Sequence, residues 1–344
     1  MFWHPETSSD KACLDAGIKD DDMIGRLVVA MSLSWTGMVA GPAGAQNFPE
    51  RGVTIMVPTT AGDSTDLIAR LLAKHLAAKW SKSVIVENRP GGGTLIGAAA
   101  VAKAAPDGHT LLMMFSGTLL NAALHKQMPI NFEKDLTPVA HVVDTPFVLL
   151  ANPSLPANDL RELIAYAKGK PNELSYGTVG PGSLQHLALE VFNNAAGTKM
   201  VAVPYAGTTP TLTALISGQI HLAFAPVGAS MPFISAGQAR ALGVGSPQRV
   251  ASAPHIPTVA EAGLPGFNVV SWQMMAVTGG TPRTLIDQLN RDVQEAASQA
   301  EVQETIAKLG LIAKPPASVT QIEALLKSEL DKWRPVLADI GLVR

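Results

Sequence analysis

The chain has 344 residues, a formal net charge of −2, 47% hydrophobic and 16% charged residues, and a single cysteine, Cys13. That charge balance excludes the basic field a nucleic-acid partner requires, so no nucleic acid is expected. The length admits two domains or one large one, and one cysteine excludes an internal disulfide.

Residues 1–45 differ from the rest. A charged leader ending in "KDDD" precedes Met23, Arg26, the apolar run "LVVAMSLSWTGMV" and then "AGPAGAQ". This order predicts a secretory signal with Met23 as the true start and cleavage after Ala45, where Ala43 and Ala45 supply the small side chains. The apolar run is too short to span a bilayer. The mature protein is therefore expected to be exported. Six of the 28 acids and three of the 26 bases lie in this segment, as does Cys13, so the mature chain is nearly neutral and free of thiol. A cysteine nucleophile and a lipid-anchoring cysteine are excluded, since Gln46 follows the predicted cut.

From Val53 onward, short β-branched runs alternate with helical patterns. "VTIMV" precedes a helix over 65–80, "SVIVE" one over 94–104, and "TLLMMF" follows; "FVLLA" leads to a helix over 158–168. Then come "LSYGT" with helix 183–195, "MVAV" with 208–217, "IHLAFA" with 228–236, and "RALGV". Such alternation predicts an α/β fold with largely parallel sheets. Leu67, Ile68, Leu71, Leu72 and Leu76 mark the core face of the first helix, and Leu184, Leu187, Ala188 and Val191 that of helix 183–195. More than ten elements exceed one compact sheet, so the mature chain is divided into two lobes. The extended stretches "DTPFVLLANPSLP" (144–156) and "GFNVVSWQMMAVTGG" (266–280) are the expected crossings. Residues 46–146 plus 270–344 then form one lobe and 147–269 the other, with helices 282–299 and 318–338 covering the first.

Three strand-to-helix turns could carry chemistry. In "VPTTAGDSTDLIAR" (57–70), Pro58 stops the strand and small residues precede a helix whose free N–H groups favour a carboxylate or phosphate; Asp63 or Ser64 could equally serve as its cap. The "RPGGGT" turn lacks the lysine and serine of a phosphate loop and the acid of a dinucleotide site, so no cofactor is expected. Ser116, Gly117 and Thr118 follow the third strand, at the sheet end where ligands usually lie. In "YGTVGPGSLQHLALE" (176–190), Ser183 and His186 could form a nucleophile and base, but the elbow glycine after the serine is missing. His75, His109, His125, His141, His186, His221 and His255 are scattered without metal-ligand spacing, so no metal is expected.

"VENRPGGGTLIGAAAVAKAAPDGHTLL", "YGTVGPGSLQHLALEVF", "VPYAGTTPTLTALISGQIHLAF" and "HIPTVAEAGLPGF", in this order after a signal peptide, resemble the Bug (TctC-like) receptors of tripartite tricarboxylate transporters. The resemblance covers the chain from Phe48 onward. It implies a two-lobed periplasmic-binding-protein fold of type II character, with hinge strands and a ligand cleft between the lobes. It further implies a small carboxylic acid as ligand, membrane transporter subunits as partners, a monomer, and no catalysis. Carried onto this chain, the family's ligand contacts fall on Thr59, Thr60, Ala61, Gly62, Asp63 and Asp66, then Ser116 and Thr118. From the second lobe come Thr178, Gly180, Gly182, Ser183, His186, Tyr205 and Gly207.

The chain also departs from the family pattern. "TTAGD" replaces an aromatic and paired-glycine loop, and Ala225 stands where many relatives carry an aspartate. Without that acid a ligand ammonium loses a counter-charge, which favours aromatic or aliphatic acids without an amino group. Two rival readings remain at this stage: a receptor feeding a signalling kinase, and an exported hydrolase using Ser183 and His186.

Overall fold

The computed structural model describes residues 48–124 and 130–339, so the leader, the predicted cleavage point and His125 lie outside the described residues. The first elements are β1 (Val53–Val57), α1 (Ser64–Trp80), β2 (Val84–Asn88), α2 (Leu95–Ala102), β3 (Thr110–Phe115), α3 (Ser116–Leu124) and the single turn α4 (Phe132–Asp135). The 16-residue strand β4 (Leu136–Ala151) leads into α5 (Leu160–Gly169), β5 (Ser175–Thr178), α6 (Leu184–Ala196), β6 (Val201–Pro204) and α7 (Thr208–Ile216). Next are β7 (Leu222–Pro226), α8 (Val227–Ser235), β8 (Arg240–Val244) and α9 (Val259–Ala262). β9 (Val270–Thr278), α10 (Arg283–Ala297), α11 (Ala300–Lys308), β10 (Ile312–Ala313) and α12 (Val319–Asp339) follow.

The strands run in the order β2-β1-β3-β9-β4-β7-β5-β6, with β8 and β10 also paired to β4. β2, β1 and β3 are parallel, as are β6, β5 and β7, but β9 runs antiparallel between β3 and β4, and β7, β8 and β10 are antiparallel to β4. The sheets are therefore mixed rather than largely parallel. β4 is what they share. Its residues from Leu136 to Pro146 pair with β9, and those from Phe147 to Ala151 pair with β7.

Each sheet is covered on both faces, which explains the near-continuous apolar strands. On β4, Phe147, Leu149 and Ala151 enter a core with α5 and α6, while Val148 and Leu150 enter one with α7. In the other sheet, Ile55, Val57, Leu111 and Met113 pack beneath α1 and α10, and Met56, Leu112 and Met114 beneath α2 and α12. Two expectations change. Leu67 is 38% exposed, and the buried stripe of α1 runs instead through Ile68, Ala69, Leu72, Ala73 and Leu76. α12 does not cover one lobe alone: Ile322, Leu326 and Leu330 join the first-sheet core, whereas Trp333 and Leu337 are buried with α5 and α6 residues of the second.

Candidate functional site

The registers fix where the turns emerge. β3 is antiparallel to β9, with Phe115 opposite Gln273, and β9 is antiparallel to β4, with Ser271 opposite Thr145. β1 and β3 therefore run toward the point where β4 passes from one sheet to the other. On the far side β7 meets β4 with Pro226 opposite Phe147, and β5 is parallel to β7. β5 thus also runs toward that point, so the β1–α1 and β5–α6 turns leave their strands at the crossing end of both sheets.

The β1–α1 turn is held by acids. Asp63 is the α1 cap, its carboxylate accepting from the Asp66 N–H at 2.8 Å. Asp66, 2% exposed, accepts from the Gly62 N–H at 2.9 Å, Arg70 Nε at 3.0 Å and Asn88 Nδ2 at 2.9 Å. Burial alone would raise the Asp66 carboxyl, but the Arg70, Gly62 and Asn88 donors outweigh it and hold the group below its ordinary value. Asn88 also donates to the Thr59 carbonyl at 3.2 Å, which ties the loop to β2. Gly62 adopts φ +90° with open space around its missing Cβ, so the requirement there is conformational. Asp63 and Asp66 are thereby spent on the loop itself, while Thr60 and Ala61 are exposed.

The β5–α6 turn is held by neutral groups. Ser183 caps α6, accepting from the His186 N–H at 3.3 Å and donating to the Gly180 carbonyl at 2.7 Å. His186 Nδ1 accepts from the Gly182 N–H at 3.1 Å, which leaves Nε2 as the protonated nitrogen, 3.7 Å from Glu190 Oε1. Desolvation lowers the His186 pKa and raises that of Glu190, so the imidazole is neutral at pH 7. The two side chains of the rival dyad are thus each engaged elsewhere: the serine proton goes to a carbonyl, and the imidazole acceptor goes to a backbone amide. Thr178 accepts from the Gly180 N–H at 3.3 Å, and the Tyr205 N–H donates to the Thr178 carbonyl at 2.8 Å. The Gly207 carbonyl, just before α7, accepts from the Thr211 hydroxyl at 2.9 Å.

Between the turns lies a polar row of which the sequence pointed to Ser116 and Ser64 but not to Ser271, Gln273 or Thr145. Ser116 Oγ lies 2.7 Å from Ser271 Oγ, and Gln273 Nε2 lies 3.3 Å from both Ser64 Oγ and Thr145 Oγ1. Thr118, expected as a ligand contact, is fully buried on α3 and accepts from the Thr94 hydroxyl at 3.1 Å. Thr59 Oγ1 and Gln273 Oε1 are buried without a partner. Cavities of about 810 Å³ beside α2 (Gly93, Ile96, Lys103) and about 730 Å³ beside β10 (Asp144, Arg249, Lys314) contain no residue of either turn. Among the described residues, no helix is long and apolar enough to cross a membrane, and no group of three His, Cys, Asp or Glu is gathered to hold a metal.

Two α/β sheets sharing one long strand, with helix-starting turns converging on the crossing, define a two-lobed solute-binding protein. The comparisons give the family. Residues 68–342 match the Tripartite tricarboxylate transporter family receptor, and the chain belongs to that family. It is 34% identical over 311 residues to protein BugT of Bordetella pertussis, covering 89% of this chain and 94% of that one. Among solved structures it is similar to Rpa4515 of R. palustris with adipate (33% identity, TM-score 0.74, 86% of this chain and 98% of that one). It is likewise similar to MatC of Rhodopseudomonas palustris with bound malate (32% identity, TM-score 0.72, 84% and 100%).

Proposed function

We propose that this protein is a periplasmic receptor that captures a small carboxylic acid without transforming it, closes its lobes around the ligand, and presents it to membrane transporter subunits. The observation that carries the reading is the convergence of two helix-starting turns at the sheet crossing. At each start the first two N–H groups, of Ser64 and Thr65 and of Leu184 and Gln185, have no partner within the helix. Those donors suit a carboxylate, and adipate and malate in two similar structures agree with that chemistry.

Under this reading the acid contacts Thr59, Thr60, Ala61 and Gly62 from one side, and Thr178, Gly180, Gly182, Ser183, His186, Tyr205 and Gly207 from the other. Ser116 lies between them, and Asp63 and Asp66 shape the loop. The lobes divide at 146/147 and 269/270, and the protein acts as a monomer released by cleavage after Ala45. Binding favours closure because only the closed form lets both turns touch one ligand.

A thermal-shift screen of aliphatic and aromatic mono-, di- and tricarboxylates tests this. A bound acid at 100 times its Kd adds about 2.7 kcal/mol, and it should reduce the radius of gyration in solution scattering. Absence of any shift across the panel would remove the receptor reading, and conversion of the acid would restore an enzymatic one. The intact mass of the exported protein should begin at Gln46.

A further inference from the structure

Gln273 is a buried polar side chain at the crossing whose amide oxygen has no partner among the described residues. It stands on β9 among methionines, valine and tryptophan, is 2% exposed, and lies on the α1 face of its sheet together with Met275 and Val277. Phe115 pairs with Gln273, and extending the β1–β3 register by three residues beyond Met56 opposite Leu112 puts Thr59 in the same transverse row. Its amide nitrogen has two protons, and two hydroxyl oxygens lie 3.3 Å from it: Ser64 Oγ at the first residue of α1, and Thr145 Oγ1 on β4. A hydroxyl that accepts a hydrogen bond still has a proton to give. Among the described residues neither of these hydroxyls donates to an acceptor, and Gln273 Oε1 has no donor. A buried amide left half-satisfied costs stability, which is tolerated where the group serves a site.

We propose that Gln273 is a positioning residue: it spends its two amide protons on Ser64 and Thr145, so that both hydroxyls turn their protons outward as a donor pair for a ligand carboxylate at the start of α1. Under this proposal Gln273 acts on the ligand through the two hydroxyls. The inference rests on the receptor reading, since it requires an anionic ligand.

The test reverses the polarity. In Gln273→Glu an ionised carboxylate can only accept, so Ser64 and Thr145 would turn their protons inward and the outward donors would be lost. A buried carboxyl protonates at higher pH than an exposed one, and its protonated form restores one donor. Affinity for adipate and malate is measured by calorimetry at pH 8 and pH 5.5 in the native and variant proteins. The titratable groups on the surrounding elements, Asp63 and Asp66 on α1, His141 and Asp144 on β4, and Lys314 after β10, are common to both proteins, and the variant-to-native ratio cancels them. The expected result is a loss of about 30-fold at pH 8 that shrinks several-fold at pH 5.5; a structural role alone would not give that pH-dependent recovery. Native affinity in Gln273→Glu at pH 8 would overturn the inference, because it would mean that the amide faces the other way and accepts from the hydroxyls. Should that variant fail to fold, Ser64→Ala combined with Thr145→Val decides instead: a loss of about 10-fold or more supports the donor pair, and native affinity overturns it. Native protein that binds neither these acids nor any other of the panel defeats the receptor reading and this inference together, whereas binding that ignores both variants defeats the inference alone.

Discussion

α1 and α6 begin in the same way, each after a strand that runs toward the crossing and a short glycine-containing turn, yet they are closed by opposite chemistry. At α1 the cap is a carboxylate, and a second carboxylate, Asp66, gathers Gly62, Arg70 and Asn88. At α6 the cap is a serine, and the second anchor is a neutral imidazole. The first arrangement ties the turn with several hydrogen bonds at the cost of negative charge beside the proposed ligand contacts. The second leaves the helix dipole uncompensated and open to an anion. Under the proposed function both helix starts face the ligand, and they differ in the charge that closes them: carboxylates at α1, a hydroxyl and a neutral imidazole at α6.

The largest expected effect tests the first half of that contrast. Asp66→Ala leaves the Gly62 N–H and the Asn88 amide without their acceptor and should cost about 3 kcal/mol of stability in urea titration; a loss below about 1 kcal/mol would show that the turn does not depend on this acid. The same carboxyl predicts an acid limb. Its folded pKa lies below the 3.8 of the free group, so its contribution is fully present above that value and fades as the pH falls through the lower folded one. That part of the acid limb should be missing from Asp66→Ala.

A swap of cap chemistry sharpens the contrast. Ser183→Asp keeps a good cap but gives α6 the charge of α1. Melting temperature should stay close to native while carboxylate affinity falls by about 1 to 2 kcal/mol; unchanged affinity would place the ligand away from α6. Ser183→Ala, which removes the cap without adding charge, should lower stability by about 1 kcal/mol.

The smallest effect concerns His186. Its folded pKa is depressed below 6.5 by burial, so the folded state resists protonation more than the unfolded chain does. Stability should decline as the pH falls from about 6.5 toward the lower folded pKa and then level off. His186→Gln should flatten that slope in melting curves between pH 8 and 5.5, and an identical slope would assign it to another group.

Much of this was legible in the sequence, and the misses have physical causes. β1, β3 and β7 showed as apolar runs because strands covered on both faces need them, and residue type before a helix narrowed the α1 cap to Asp63 or Ser64. The first half of β4 did not show, because Pro138 and Pro146 interrupt it. Register shifts between Pro138 and Ala140 and between His141 and Val143 absorb the irregularity. α3 was hidden because it begins directly at Ser116 with no turn to announce it, and α11 because only Val302 and Ile306 of its residues are buried. In the site, Asn88, Ser271 and Gln273 were out of reach: strand pairing brings them to helix starts 22, 155 and 209 residues away, and no local pattern encodes that.

A single strand common to two sheets also governs how the protein comes apart. β4 contributes backbone hydrogen bonds to β9 along its first part and to β7 and β8 along its second. Neither sheet can lose it without exposing the edge of the other. Two sheets joined in this way should therefore melt as one cooperative unit, and the amides from Val143 to Leu149 should be among the slowest to exchange with deuterated solvent.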